Sequence, residues 1–422
     1  MKNLRTILFP FLLFSLIVSC TPSENTSYFK YASDEELISA LDEVMETQIE
    51  TGRIAGGVVM ISRGDSMIAE KAWGWKNREE AEPMETDHLF RIASMTKIIT
   101  STAILQLYED GKLSLDDSVQ KYIPEFSDPV VLTEYNEDTG EYETRPASRS
   151  ITIHDLLTHT SGVSYGFTNS TFGRIFNDAG VPDLGSEEDL RIGESMAVLG
   201  DLPLAHDPGE RFTYGLNTDV LGRVVEVASG QTLAEYFSTN IFDPLNLDDI
   251  GFYHPGREDD LTRLYAIEDS TLIVYPEDDF GLITPDFPVR GAMTYYSGGA
   301  GLTSSTEDYL TFLFALHNGG SINGIRILEE ETVALMTENQ IGALNLDGNK
   351  FGYGLMITTE EGYDEGKRSV GSLSWGGAFQ STYWMDPKHN IVVVMMTQVL
   401  PSLGQGEFYD HFERAIYESV EE

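Results

Sequence analysis

The chain has 422 residues, 41% of them apolar and 11% aromatic, with 27 basic against 69 acidic side chains and a formal net charge of −42. That composition excludes a disordered polymer, and the charge excludes a surface built to grip nucleic-acid phosphates. A single cysteine excludes an intramolecular disulfide.

The first segment reads as a leader. Lys2 and Arg5 precede an apolar stretch from Ile7 to Val18, too short to span a bilayer. Ile17-Val18-Ser19-Cys20 follows and is similar to a bacterial lipobox, in which cleavage leaves an acylated cysteine at the new N-terminus. The expectation is a lipoprotein-type signal peptide over 1–20, a tether over 21–34, and an exported, cell-envelope protein held to a membrane through Cys20.

The body then runs over 35–422. Ser33-Asp34-Glu35-Glu36 opens a helix with Leu37, Ile38, Leu41, Val44 and Met45 on one side. Gly56–Arg63 and Met67–Trp73 read as a hairpin about Gly64-Asp65. Phe90-Arg91-Ile92-Ala93-Ser94-Met95-Thr96-Lys97 leads into a small-residue and apolar run that predicts a buried helix ending near Gly111. Residues 134–146 read as an exposed acidic loop. Ile151–Gly162 reads as a short helix capped by Thr152 and stopped at Gly162. Its two histidines, His154 and His159, are five apart and so about 140° apart on a helix; a zinc pair would be four apart. They read as packing or hydrogen-bonding residues.

Helical pieces are expected near 188–199, 217–229 and 232–240. Ser297-Gly298-Gly299-Ala300-Gly301-Leu302 approaches a helix from Thr306, without the G-K-[ST] of a phosphate cradle. Phe351–Ile357, Ser381–Asp386 and Ile391–Thr397 read as strands, and Phe408, Phe412, Ala415 and Ile416 line one face of a closing helix. Strands near both ends and a helical middle predict an α+β fold: an α/β part over about 35–93 and 291–422, and a helical part over about 94–290.

Three segments carry chemistry. On a helix, residues three apart share a face, so the Lys97 ammonium can reach the Ser94 hydroxyl. A serine hydroxyl needs a neighbouring base, and a lysine serves only when desolvated or near another cation. Phe212-Thr213-Tyr214-Gly215-Leu216-Asn217 supplies a phenol that, beside a lysine, can move a proton. Ser374-Trp375-Gly376-Gly377-Ala378 lets a strand edge approach substrate closely, and the amides of Ser94 and Ala378 can form an oxyanion hole.

With these segments in view, the chain resembles the serine β-lactamase and penicillin-binding-protein superfamily, in the branch of class C β-lactamases and family VIII carboxylesterases. The resemblance covers roughly 35–420 and includes Leu156–Gly162 and Gly298–Leu302. It implies a β-lactamase/transpeptidase-like fold, an antiparallel sheet flanked by helices beside a mostly helical subdomain. It implies Ser94 as acylated nucleophile with Lys97 and Tyr214 as the proton-handling pair, the principal base left open. Trp375, Gly376, Gly377 and Asn217 would border the substrate; no metal or organic cofactor is implied.

Two departures matter. Leu216 stands where the family's Y-x-N motif has asparagine, so Asn217 reads more readily as a helix cap. Trp375-Gly376-Gly377 replaces K-T-G, removing the cation that meets a β-lactam carboxylate and favouring an apolar ester substrate. The expected function is therefore a serine hydrolase acting on a small ester or amide. A β-lactamase or a D-amino-acid peptidase is the alternative, and a slowly acylating binding module the alternative of another class. A decoy, Gly162-Val163-Ser164-Tyr165-Gly166, matches the α/β-hydrolase elbow but follows a helix rather than a strand and precedes polar Thr168, Asn169 and Ser170.

Overall fold

The computed structural model describes residues 28–276 and 286–421. The leader, Cys20 and the tether up to Ser27 lie outside the described residues. Residues 28–34, expected as the end of the tether, belong to the folded body. Phe29 is buried edge-on against Phe314, and Lys30–Tyr31 pair in parallel with Ser66–Met67. The Tyr28 hydroxyl donates to Leu245 O at 2.9 Å, and the amides of Lys30, Ala32 and Asp34 bond the carbonyls of Asp65, Met67 and Ile68.

Strands from the N- and C-terminal parts of the described body share one sheet. Its order is Lys30–Tyr31, Ser66–Asn77, Gly56–Arg63, Ile391–Thr397, Ser381–Asp386, Leu373–Gly377, Met356–Ile357 and Lys350–Phe351, antiparallel after the first pair. Gly57 lies opposite Thr397, so the first hairpin is closed by the last strand. The near-continuous apolar runs of the central strands follow from burial on both faces. Val58, Met60, Val392, Val394 and Met396 point into the larger core, with helices Thr96–Glu109 and Thr306–His317. Val59, Ile61, Val393, Met395 and Trp384 point the other way, onto Leu37, Leu41 and Met45 of helix Glu35–Glu50 and Phe408, Phe412 and Ile416 of the closing helix Gln405–Glu421. The fold is α+β, a sheet between helical layers with a helical subdomain on its front.

Several local expectations are corrected. Residues 134–146 are exposed but not irregular: Val130–Tyr135 pairs antiparallel with Tyr142–Pro146, because β-branched and aromatic residues flank an Asn136–Gly140 turn. The Thr152-capped helix ends at Leu157, not at Gly162, and His159 turns out of it with φ of 55°. Its capping box with Asp155 is present. Phe351–Ile357 is two short strands about Gly354, whose φ is 89°. Helix Ser170–Ala179 does follow the decoy motif; polar Asn169 marks its start, accepting from the amides of Thr171 and Phe172.

Among the described residues, no helix is long and apolar enough to cross a membrane.

Candidate active site

Helix Thr96–Glu109 is the pivot. Every residue from Thr96 to Leu105 is buried, so it runs through the core rather than along it. One of its faces is polar, and that face is cross-linked to the glycine-rich turn 297–302. Thr100 Oγ1 donates to Gly298 O at 2.6 Å, Lys97 Nζ to Gly299 O at 2.8 Å, and Thr96 Oγ1 accepts from the Leu302 amide at 3.2 Å. The glycines are needed for this approach. A methyl group on Gly298 would lie 2.5 Å from Thr218 O, and one on Gly299 2.3 Å from Asp219 Oδ2.

Ser94 sits not in the first α-turn but in a 3-10 turn, Ala93–Met95, that feeds the helix. Ala93 has φ of 43°, a conformation that costs an alanine about 1–2 kcal/mol. It persists because its surroundings hold it. The Met95 amide donates to Ile92 O, the Met95 carbonyl accepts from the buried Tyr309 hydroxyl at 2.8 Å, and the Ile92 amide bonds Leu302 O. The turn lifts Ser94 into a half-exposed position while its neighbours stay buried.

Lys97 is 1% exposed. Its Nζ reaches Ser94 Oγ at 3.2 Å, the Tyr165 hydroxyl at 3.0 Å and Gly299 O at 2.8 Å, which satisfies all three ammonium donors. It also lies 4.7 Å from the Tyr214 ring centroid and 5.2 Å from that of Tyr165, a cation seated between two aromatic faces.

Tyr214 therefore meets Lys97 through its ring. Its hydroxyl accepts from the Trp375 indole at 3.3 Å and makes no hydrogen bond with Lys97 or Ser94. Trp375 packs on Tyr214 and Phe351 at 5.5 and 5.3 Å. With the exposed Phe167, stacked on Tyr165 at 4.6 Å, these rings make an aromatic rim beside Ser94.

Gly376 and Gly377 end the strand that carries Trp375. A methyl group on Gly377 would lie 2.6 Å from Ile92 O, so this strand end runs directly along the Ser94 turn. Ala378, the next residue, packs in a small cluster with Ala93.

Asn217 is neither a helix cap nor open to substrate. It is fully buried as the first residue of helix Asn217–Ser229. Its amide group bonds Ser161 Oγ, His159 Nδ1 and Val163 O, tying the Ser161–Val163 turn to the helix that follows Tyr214. Ser164 of the decoy motif is 2% exposed, and its hydroxyl donates to Tyr165 O.

His154 bonds the Tyr353 hydroxyl at 3.0 Å. His159 lies 4.9 Å from Tyr214, ring to ring; burial and then the Lys97 charge push it well below its ordinary range, so it is neutral. Among the described residues one group has metal-ligand proximity, Glu85, Asp87 and His88, two of them exposed.

Tyr165 and Asp219 were not singled out from sequence. Tyr165 was hidden inside the decoy motif; burial pushes its phenol up, so it stays neutral. Asp219 lies five residues after Tyr214, and no local signal marks a helical aspartate as buried.

The Beta-lactamase family profile matches residues 41–417. The chain belongs to that family and is a serine hydrolase of its β-lactamase/esterase superfamily. Esterase EstB of Burkholderia gladioli is 30% identical over 86% of this chain and 90% of its own length. A lovastatin esterase of Penicillium rubens is 32% identical over 86% and 94%. The solved structure of EstCE1, a hydrolase with promiscuous acyltransferase activity, superposes with a TM-score of 0.76 at 27% identity, covering 91% of this chain and 99% of that one.

Proposed function

We propose that the chain is a carboxylesterase for small esters with an apolar acyl or alcohol part, working through an acyl-enzyme on Ser94. The observation that carries this is the 3.2 Å contact of the buried Lys97 amine with Ser94 Oγ. For the reaction the Lys97 ammonium must first give up a proton; the amine then accepts from Ser94 at this same contact and takes the hydroxyl proton as Oγ adds to the ester carbonyl. The developing oxyanion is assigned to the amides of Ser94 and Ala378. The C–O bond then breaks, and the alcohol leaves with a proton delivered from Lys97 or from Tyr214. Water, activated the same way, releases the acid and regenerates Ser94.

Trp375 in place of a lysine, and the rim of Tyr214, Trp375 and Phe167, support neutral, apolar substrates over anionic β-lactams. The names of EstB and the lovastatin esterase support the same reading. A panel of p-nitrophenyl esters and a chromogenic β-lactam, assayed on the wild type and Ser94→Ala, tests it. Ester turnover that exceeds β-lactam turnover and is lost in Ser94→Ala is expected. Ester turnover that survives in Ser94→Ala would remove the mechanism, and faster β-lactam turnover would replace the substrate.

The basic, apolar and Cys20 segments support an exported, lipid-anchored protein. Partition of full-length chain into the membrane fraction, lost in Cys20→Ser, is the expected outcome; equal partition of both forms would refute it.

A further inference from the structure

Behind Lys97 lies a buried carboxylate with no part in the chemistry described so far. Asp219 is 1% exposed. Its Oδ1 accepts from Ser297 Oγ at 2.6 Å and from the Gly299 amide at 3.2 Å, while Oδ2 is buried and receives no donor among the described residues. The same residue, Gly299, gives its amide to Asp219 and its carbonyl to Lys97. A methyl group on Gly299 would touch Asp219 Oδ2 at 2.3 Å and the Tyr165 hydroxyl at 3.0 Å, and that hydroxyl is itself 3.0 Å from Nζ. Gly299 therefore touches both charged groups, with the Tyr165 hydroxyl beside it.

A buried anion with an oxygen that accepts no hydrogen bond is costly unless a cation offsets it. The other titratable groups facing this pair do not. Tyr165 and Tyr295 are pushed up by burial and stay neutral phenols; His159 is neutral; Tyr214 presents its ring; Asp183 adds a like charge when ionised. Resting on the hydrolase reading above, we infer that Asp219 is a positioning residue that holds the counter-charge for the Lys97 ammonium formed when Ser94 gives up its proton. The glycine at 299 is there to let the two approach. Burial pushes the Asp219 carboxyl up to about 6, and Lys97 is the leading influence that draws it down.

The test is the pH profile of kcat/KM for a p-nitrophenyl ester, measured on the wild type, Asp219→Asn and Asp219→Glu. Asparagine can keep the Ser297 and Gly299 bonds but not the charge. The expected result is a plateau lowered by roughly tenfold or more and an acid limb moved to lower pH by about one unit, because the ammonium has lost its partner. Glutamate, which keeps the charge, should hold the limb near the wild-type pH. If Asp219→Asn does not fold, Asp219→Ser, with room for a water beside Ser297, reads the same limb. A limb that stays in place while activity falls would make Asp219 merely structural and overturn the inference, as would a limb moved upward. Wild-type turnover that does not depend on Ser94 would instead overturn the hydrolase reading itself.

Discussion

Asp386 and Asp219 are both buried aspartates, one behind the sheet and one in front. Asp386 accepts from the amides of Ser369, Lys388 and His389, from the Tyr417 hydroxyl and from the His389 ring, at 2.8–3.2 Å. Burial alone would push its carboxyl up, but bonds from His389, Ser369 and Tyr417 outweigh that and hold it at about 2. Asp219 has two donors, both on one oxygen, and burial wins: its carboxyl rises to about 6. The first network ties the closing helix to the sheet and is satisfied. The second leaves an oxygen open beside a buried lysine, next to a serine set on a strained alanine. Stability is concentrated behind the sheet, and the front gives some of it up to hold charges ready for reaction.

This contrast can be broken by experiment. The largest effect is expected from Lys97→Ala, which should cut ester kcat/KM by on the order of 10³-fold or more while the protein still folds. Retained activity would detach the front network from catalysis. Next, Tyr214→Phe should cost roughly 10²-fold. Tyr165→Phe should cost less, on the order of 10-fold, since Lys97 keeps Ser94 and Gly299 as acceptors. Steady-state kinetics that reverse this ranking would make Tyr165 the proton carrier.

Behind the sheet the expected loss is in stability. Asp386→Asn should lower the unfolding free energy at pH 7 by about 1–2 kcal/mol, with kcat/KM within about twofold of wild type. Its folded carboxyl lies below the unfolded value near ~3.9, so its contribution is complete above about pH 4 and fades as pH falls through about 2. The variant's denaturant-derived stability should therefore approach the wild type's on acidification. A constant gap would mean the bonds to Asp386 act by packing rather than charge. Asp219→Asn should lose less than Asp386→Asn at pH 7; a larger loss would erase the distinction between the two sites. The smallest effect is expected at the rim: Phe167→Ala should raise KM for bulky esters a few-fold without changing kcat for acetate esters.

Short-range pattern is legible in the order of the residues. The i, i+3 spacing of Ser94 and Lys97 sets their contact, because a helical turn leaves little choice. The apolar runs at 56–63, 381–386 and 391–397 determined the sheet, since runs buried on both faces have few other places to go. Thr152 marked a helix start, because a cap acts through local bonds alone.

The remaining placements come from long-range packing. It sent Asn217 inward to the Ser161–Val163 turn, gave Tyr165 to Lys97, and turned the Tyr214 hydroxyl toward Trp375. It also placed Asp219 behind Gly299. Each of these pairs residues far apart in the chain or chooses among the several faces a helix offers. That choice belongs to packing: burial ranks the faces only after the sheet, the pivot helix and the glycine-rich turn have come together.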